Sequence, residues 1–434
     1  MKNRIALTLS LVITLITPLY AYAETASKID PGDTAFVLIS AALVMLMTPG
    51  LAMFYGGMVR RKNVLGTIMQ SFVAIALVSV QWVLIGYSLS FGPDIYGIIG
   101  GLDWLGLKGV GVDPNPDYAP TVPHLAFMIY QAMFAVITPA LITGALAERM
   151  KFSAFLVFTV LWSTIVYDPV AHWIWGTGGW MKNLGVLDFA GGIVVHVTSG
   201  ISALAAAMII GKRKGYMHEA FYPHNLPMTV LGAGLLWFGW FGFNAGSALS
   251  SGALSTMAFV VTHTSAVSAT LIWVVIEWLH RGKPTMFGAA TGSIAGLATI
   301  TPASGFVGPM SALFIGLLAG SICYIALNMK NRFGYDDSLD AFGVHGVGGI
   351  IGTLAVGLFA QKTINPAGAD GLFFGNSSVF VSQLIGISVT MVYSFVITAI
   401  MLKVIDKTIG LRVDDESEVL GLDLTQHGES GYTL

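Results

Sequence analysis

Two histidines stand inside sequence that is otherwise apolar. From Phe189 to Gly211 there is no Asp, Glu, Lys or Arg, and His196 is the one basic side chain in those 23 residues. His345 lies in a similar glycine-rich setting, Phe342-Gly-Val-His-Gly-Val-Gly-Gly. An acid precedes each, Asp188 in the first case and Asp340 in the second. An unprotonated imidazole has one donor and one acceptor nitrogen, so it can bond a small polar guest or relay a proton. Within a membrane span such a residue marks a conducting path by default. The competing readings are a pair of satisfied packing histidines, or two axial ligands of a haem.

The elements that must position these side chains are membrane spans. The 434 residues are 55% hydrophobic and only 10% charged, against roughly a quarter charged in a soluble domain. Abundant glycine, 52 residues, lets helices approach closely in lipid, where packing holds a bundle together. Eleven apolar stretches follow residue 30, near 34–57, 65–91, 124–146, 152–172, 189–211, 226–248, 253–280, 286–303, 308–329, 341–360 and 378–405. A bilayer core needs about 20 apolar residues per helix. None of the stretches alternates as a barrel strand does, so helices are the way to satisfy the backbone in lipid. The expected fold is all-α, an integral membrane protein of eleven transmembrane helices. The lone cysteine, Cys323, excludes an intrachain disulfide framework.

Lys2 and Arg4, the largely apolar run Ile5–Tyr20 and the small-x-small site Ala21-Tyr22-Ala23 read as a signal peptide over residues 1–23. The eleven-helix domain is expected over 24–409 and a polar C-terminal tail over 410–434, whose composition reads as a solvated terminus. Alternate loops hold twelve cations, among them Arg60, Arg61, Lys62, Arg149, Lys151, Lys212, Arg213 and Lys214; the opposite loops hold Lys108, Lys182 and Lys362. The positive-inside rule puts the first set in the cytoplasm, the mature N-terminus outside and the C-terminus inside. The fifth and tenth spans, five helices apart, cross in opposite directions with an acid at the start and one histidine within. That pattern predicts an inverted five-helix repeat plus a final helix, with a site at the repeat interface.

The motifs DFAGGIVVH, GALAERMKFSA, WFGFNAGS, FGVHGVGGI and FYGGMVRRKN resemble those of the ammonium transporter (Amt) family of the Amt/Mep/Rh superfamily, bacterial type. The resemblance runs from about Asp33 to the final HGESGY. It implies a homotrimer with one pore per subunit, set in the cell inner membrane and serving nitrogen assimilation. It implies no enzyme activity, no cofactor and no nucleic-acid partner. It also implies that the tail packs under neighbouring subunits and supports docking of a PII-type signalling protein.

Ammonium is a cation and costly to leave bare at the bilayer centre, whereas ammonia is neutral and both donates and accepts hydrogen bonds. A selective pore can recruit the cation outside, deprotonate it and pass ammonia, with or without a separately routed proton. By resemblance Trp175 and Ser247 form the outer recruitment site: an indole face attracts cations, and a hydroxyl accepts an N–H bond that an alkali ion cannot offer. From the residues alone Trp175 reads first as an interfacial belt aromatic, and only the motif match selects it over Trp173 and Trp180. Tyr130 joins this site, at a position where phenylalanine is expected from a bacterial relative. Phe134 and Phe243 match the family's stacked phenylalanine gate, and His196, His345 and Trp240 its pore.

Asp188 has two readings, an N-cap for the fifth span and an organiser of recruitment whose negative potential favours cation entry or deprotonation. Asp340 is expected to cap the tenth span. Asp168, before Pro169, is expected to turn the chain or to add cation attraction at the outer face. Two other classes compete with transport, an ammonium sensor and a haem-ligating redox protein; within the transport class, an aquaporin-like neutral channel has no need of Trp175 and Asp188.

Overall fold

The computed structural model describes residues 28–432. The expected signal peptide lies outside the described residues. Among the described residues the chain threads through eleven apolar helices. They are α1 (Pro31–Met58), α2 (Val64–Gln81, Trp82–Gly86 and Tyr87–Phe91 in succession), α3 (His124–Leu146) and α4 (Phe152–Trp162, Ser163–Tyr167 and Asp168–Trp175). Next come α5 (Gly192–Val197 and Thr198–Ile210), α6 (Leu226–Ala245), α7 (Ala253–Arg281), α8 (Met286–Ile300), α9 (Pro309–Phe333), α10 (Phe342–Gly346 and Val347–Phe359) and α11 (Ser377–Thr408). Among the described residues ten helical runs are long and apolar enough to cross a membrane, and α8 is the shorter eleventh. Pro302 follows two residues after α8 ends, as expected for a residue that cannot extend a helix.

Capping residues set several starts. Asp30 accepts from the Asp33 amide and Pro31 opens α1; Asn225 accepts from the Met228 amide at the start of α6; Thr285 accepts from Gly288 in α8. With an odd number of crossings the first and last described residues lie on opposite faces. We call the face bearing Trp175 the mouth face and the one bearing the C-terminal helices the tail face.

The fifth and tenth helices cross each other in matched fashion. Each opens in a wide π-type turn, Gly192–Val197 and Phe342–Gly346, that contains its histidine. Four residues after each histidine comes a glycine, and each glycine faces the other helix. A Cβ on Gly200 would lie 2.1 Å from the Gly346 amide nitrogen, and one on Gly349 2.8 Å from the Gly192 carbonyl oxygen. Both contacts exclude a side chain, which fits the two-fold correspondence of the halves and brings the histidines to one place.

The tail is not a solvated strand of polar residues. It forms α12 (Asp415–Leu420) and α13 (Leu422–His427), with Glu418, Leu422 and Asp423 buried. The Leu422 amide donates to Asn63 Oδ1, Asp423 Oδ1 accepts from the Gly66 amide, and Glu418 accepts from the Lys214 amide and from Arg412. It therefore packs against the loops of its own subunit.

Candidate functional site

The site begins at the start of α5. Gly191 takes φ 105, a left-handed conformation that glycine adopts without penalty. This bend turns the next amides onto one carboxylate. Asp188 Oδ1 accepts from Gly191 and Gly192 (2.8 and 2.6 Å), and Oδ2 from Ile193 and Val194 (2.8 and 3.1 Å). Four otherwise orphaned N–H groups are thus satisfied by one side chain. The main-chain carbonyl of Asp188 accepts from Trp175 Nε1 at 2.9 Å, which fixes the indole at the end of α4.

From Trp175 a file of rings runs inward. Trp175 stands edge-on to Phe134 at 5.9 Å between centroids; Phe134 and Phe243 lie 4.3 Å apart. Phe243 is 6.1 Å from His196, and His196 stacks on His345 at 5.2 Å with only 13° between planes. Both phenylalanines are 1% exposed, whereas Trp175 and Ser247 are half-buried and open towards the mouth. Two rings in contact close the passage to anything hydrated.

Ser247 Oγ donates to the Phe243 carbonyl at 2.9 Å and lies 3.2 Å from Tyr130 Oη. The same phenol reaches the Gly242 and Phe243 carbonyls, both at 2.9 Å. Tyr130 also packs edge-on against Phe134 at 5.0 Å. Its hydroxyl is therefore committed to the end of α6 rather than turned to solvent.

Beyond the gate lies a narrow void lined by Met47, Leu51, Phe54, Ile137, Leu141, Val195, Leu236, Trp240, Phe243, Ile294 and the two histidines. It leaves about 10 Å³ for the centre of a water-sized molecule, close to the minimum that admits one. Trp240 lies 5.5 Å from His196 and spends its indole N–H on Thr301 Oγ1. Among the described residues, His196 Nδ1, His196 Nε2 and His345 Nδ1 are buried without a hydrogen-bond partner. Buried polar atoms nearly always have one, so three unpartnered ring nitrogens in a hydrocarbon-walled passage point to a guest that can donate and accept.

Two expectations are corrected. The cap of α10 is Asp337, whose carboxylate accepts from the Ala341 and Phe342 amides (3.1 and 2.8 Å). Asp340 instead takes φ 62 and pairs with Lys330. Asp337 stands eight residues before His345, as Asp188 stands eight before His196; equal spacing was the available signal, and nearness to the histidine was misleading. Asp168 neither turns the chain nor faces the surface: it lies inside α4, fully buried, accepting from Gln81 Nε2 (2.7 Å) and Ser90 Oγ (3.3 Å).

On the tail face a cavity of about 640 Å³ is lined by Arg213, Tyr216, Glu219, Arg281, Lys330 and Asp340 among others. Beside it runs an ion-pair network that sequence reading missed. Glu148 pairs with Arg60 (3.1 Å) and Arg213 (3.0 Å), and Arg213 pairs with Asp336 (2.8 Å). Burial pushes the Glu148 carboxyl up, but Arg213 and Arg60 outweigh it and hold its pKa down to about 2. Burial likewise raises Asp336, and the Arg213 and Arg149 guanidiniums more than offset it, leaving it below the usual carboxylate range.

Comparison with known proteins shows the family and the fold. The pattern of the Ammonium Transporter Family matches residues 35–432. An ammonium transporter of Bacillus subtilis (strain 168) is 54% identical over 402 residues, covering 92% of this chain and 98% of the relative. The crystal structure of Candida albicans Mep2 superposes with a TM-score of 0.86 at 36% identity, over 93% of this chain and 91% of that one. A structure titled Sensor Amt Protein gives 0.84 at 31% identity, over 91% and 98%.

Proposed function

The chain belongs to the ammonium transporter family, and from that premise we propose that it recruits ammonium at the mouth face, splits it there into ammonia and a proton, and conducts ammonia past two histidines while the proton crosses by a separate route. It is a multi-pass membrane protein and a transporter rather than an enzyme. The observation that carries the mechanism is the run of unpartnered imidazole nitrogens behind two touching phenylalanines.

Trp175 and Ser247 hold the cation: the indole face supplies cation–π attraction, and the serine, whose own proton goes to Phe243, keeps its lone pairs for an ammonium N–H. Tyr130 sets the position of Ser247. Phe134 and Phe243 must swing apart to admit the substrate, and the apolar wall beyond makes the neutral form the cheaper passenger. Asp188 acts by position. Its four N–H bonds hold the opening turn of α5 and its carbonyl holds Trp175.

The mouth face is outside and the tail face cytoplasmic, in the inner membrane; the distribution of Lys and Arg over the loops supports that orientation. The assembly is a homotrimer. In support, His263 projects from the outward face of α7, ten residues inside its start, beside Trp237 and Phe241. An imidazole facing lipid there is costly, so a second copy covers it. A PII-type signalling protein docks on the tail face, where α12 and α13 meet the loops.

The test is solid-supported membrane electrophysiology with ammonium pulses on the wild type and on His196→Ala and His345→Ala. We expect an ammonium-specific current in the wild type, and in the variants loss of current or of discrimination against potassium. Unchanged selectivity in both would remove the pair from the conducting path. A second reading, sensing, is favoured by the likeness to the sensor Amt structure. Uptake of labelled methylammonium by a transport-deficient cell separates the two, since a sensor gives background flux.

A further inference from the structure

The loop joining α2 to α3 opens with a hairpin of two short strands, β1 (Asp94–Ile95) and β2 (Ile99–Gly100). At its tip Tyr96 takes φ 57 and is 92% exposed, flanked by Ile95 and Ile98 at 43% and 55%. A non-glycine residue in the left-handed region costs on the order of 1 kcal/mol. Three large apolar side chains displayed on a strained tip gain nothing from the chain itself.

What lies beneath the hairpin identifies its surroundings. It bonds to the last turn of α4 and the segment that follows. His172 Nε2 and Asp94 Oδ1 are 2.9 Å apart, Trp173 Nε1 donates to the Ile98 carbonyl at 2.7 Å, and the Trp180 amide donates to the Gly97 carbonyl. Seven residues back along α4, roughly 11 Å by helical rise, Ile165 is exposed on the membrane-spanning surface, as is Leu161 a turn earlier. On α2 the exposed Val80, Val83 and Leu84 end where the loop begins to cover the helix. The hairpin thus stands on the ends of two lipid-facing helices. Trp173 and Trp180 pair at its level, with ring centroids 5.9 Å apart, as aromatics do at a lipid–water boundary.

We propose that this hairpin is seated in the bilayer interface on the mouth side, with Ile95, Tyr96 and Ile98 among phospholipid headgroups and upper acyl chains. The occupant of the patch is lipid because the patch continues the apolar surface of α2 and α4. The seat sets the height of the turn that carries Trp175, since the hairpin bonds to His172 and Trp173 immediately before it.

The experiment places a nitroxide on Ile95→Cys or Ile98→Cys in the full chain carrying Cys323→Ala, in bilayers of phosphatidylethanolamine and phosphatidylglycerol. Lys108→Cys, exposed later in the same loop, is the aqueous reference. At residues 95 and 98 oxygen should relax the label several-fold more effectively than a water-soluble nickel chelate, with the order reversed at 108. Nickel-chelate access at 95 and 98 equal to that at 108 overturns the proposal. So does dipolar broadening between labels on different copies, which would make the patch a protein contact. Either position decides the matter if the other variant folds poorly.

Discussion

The indole nitrogen of Trp175 is hydrogen-bonded to the main-chain carbonyl of the residue whose carboxylate caps α5, Asp188. One residue therefore ties the indole at the mouth face to the helix that bears His196. In the proposed mechanism this makes a mechanical link between recruitment and conduction across 13 positions of sequence.

That link makes Asp188→Asn a sensitive variant. An amide keeps one acceptor oxygen and presents an NH₂ group to backbone N–H donors, leaving at least one buried donor unsatisfied at roughly 1–3 kcal/mol. We expect lower thermal stability and at least a tenfold loss of ammonium transport at unchanged membrane insertion. Full conductance and full selectivity in this variant would reduce Asp188 to an ordinary cap.

Loss of the mouth groups should weaken capture before it slows turnover. Trp175→Leu removes a cation–π contribution of roughly 0.5–2 kcal/mol, so half-saturation should rise about 2- to 30-fold. Ser247→Ala should act in the same direction, and Tyr130→Phe less, because the phenol acts through Ser247 and two carbonyls. Concentration series of ammonium-evoked current read this directly. Unchanged half-saturation in Trp175→Leu would take the indole out of the recruitment site.

The two acids near α10 should separate cleanly. Asp337→Asn disturbs a buried carboxylate that takes two helix N–H bonds, whereas Asp340→Asn loses its pairing with Lys330. The first should lower the unfolding temperature in detergent more than the second. A larger fall for Asp340→Asn would restore that residue as the cap.

Acid should loosen the tail face first. Glu148 has a folded pKa of about 2 against an ordinary 4.5. A depressed carboxylate contributes its stability above the ordinary value and loses it as pH falls through the folded one, so the window runs from about pH 4.5 down to 2. The full contribution is about 3 kcal/mol, and Asp336 acts in the same sense. Thermal unfolding between pH 5 and 2.5 should show a fall in the wild type that is shallower in Glu148→Gln. Parallel curves would mean that the Arg60–Glu148–Arg213 network carries little of the stability.

Much of this molecule was legible in its sequence. Hydropathy is summed residue by residue, so the spans fell within a few positions of the helices, and a glycine-rich run with one imidazole stood out without any contact being known. Burial of an acid, the choice of cap and the pairing of rings depend on where a backbone points, and composition does not carry that. Asp340 lies nearer to His345 than Asp337 does, yet its positive φ turns it to Lys330. Asp168 sits beside a proline as turn residues do, but α2 brings Gln81 and Ser90 to meet it. The parallel stack of His196 on His345 exists because Gly200 and Gly349, each four residues on, let α5 and α10 touch backbone to backbone. The sequence alone determined which side chains the membrane would enclose; only the crossing of the helices decided which of them meet.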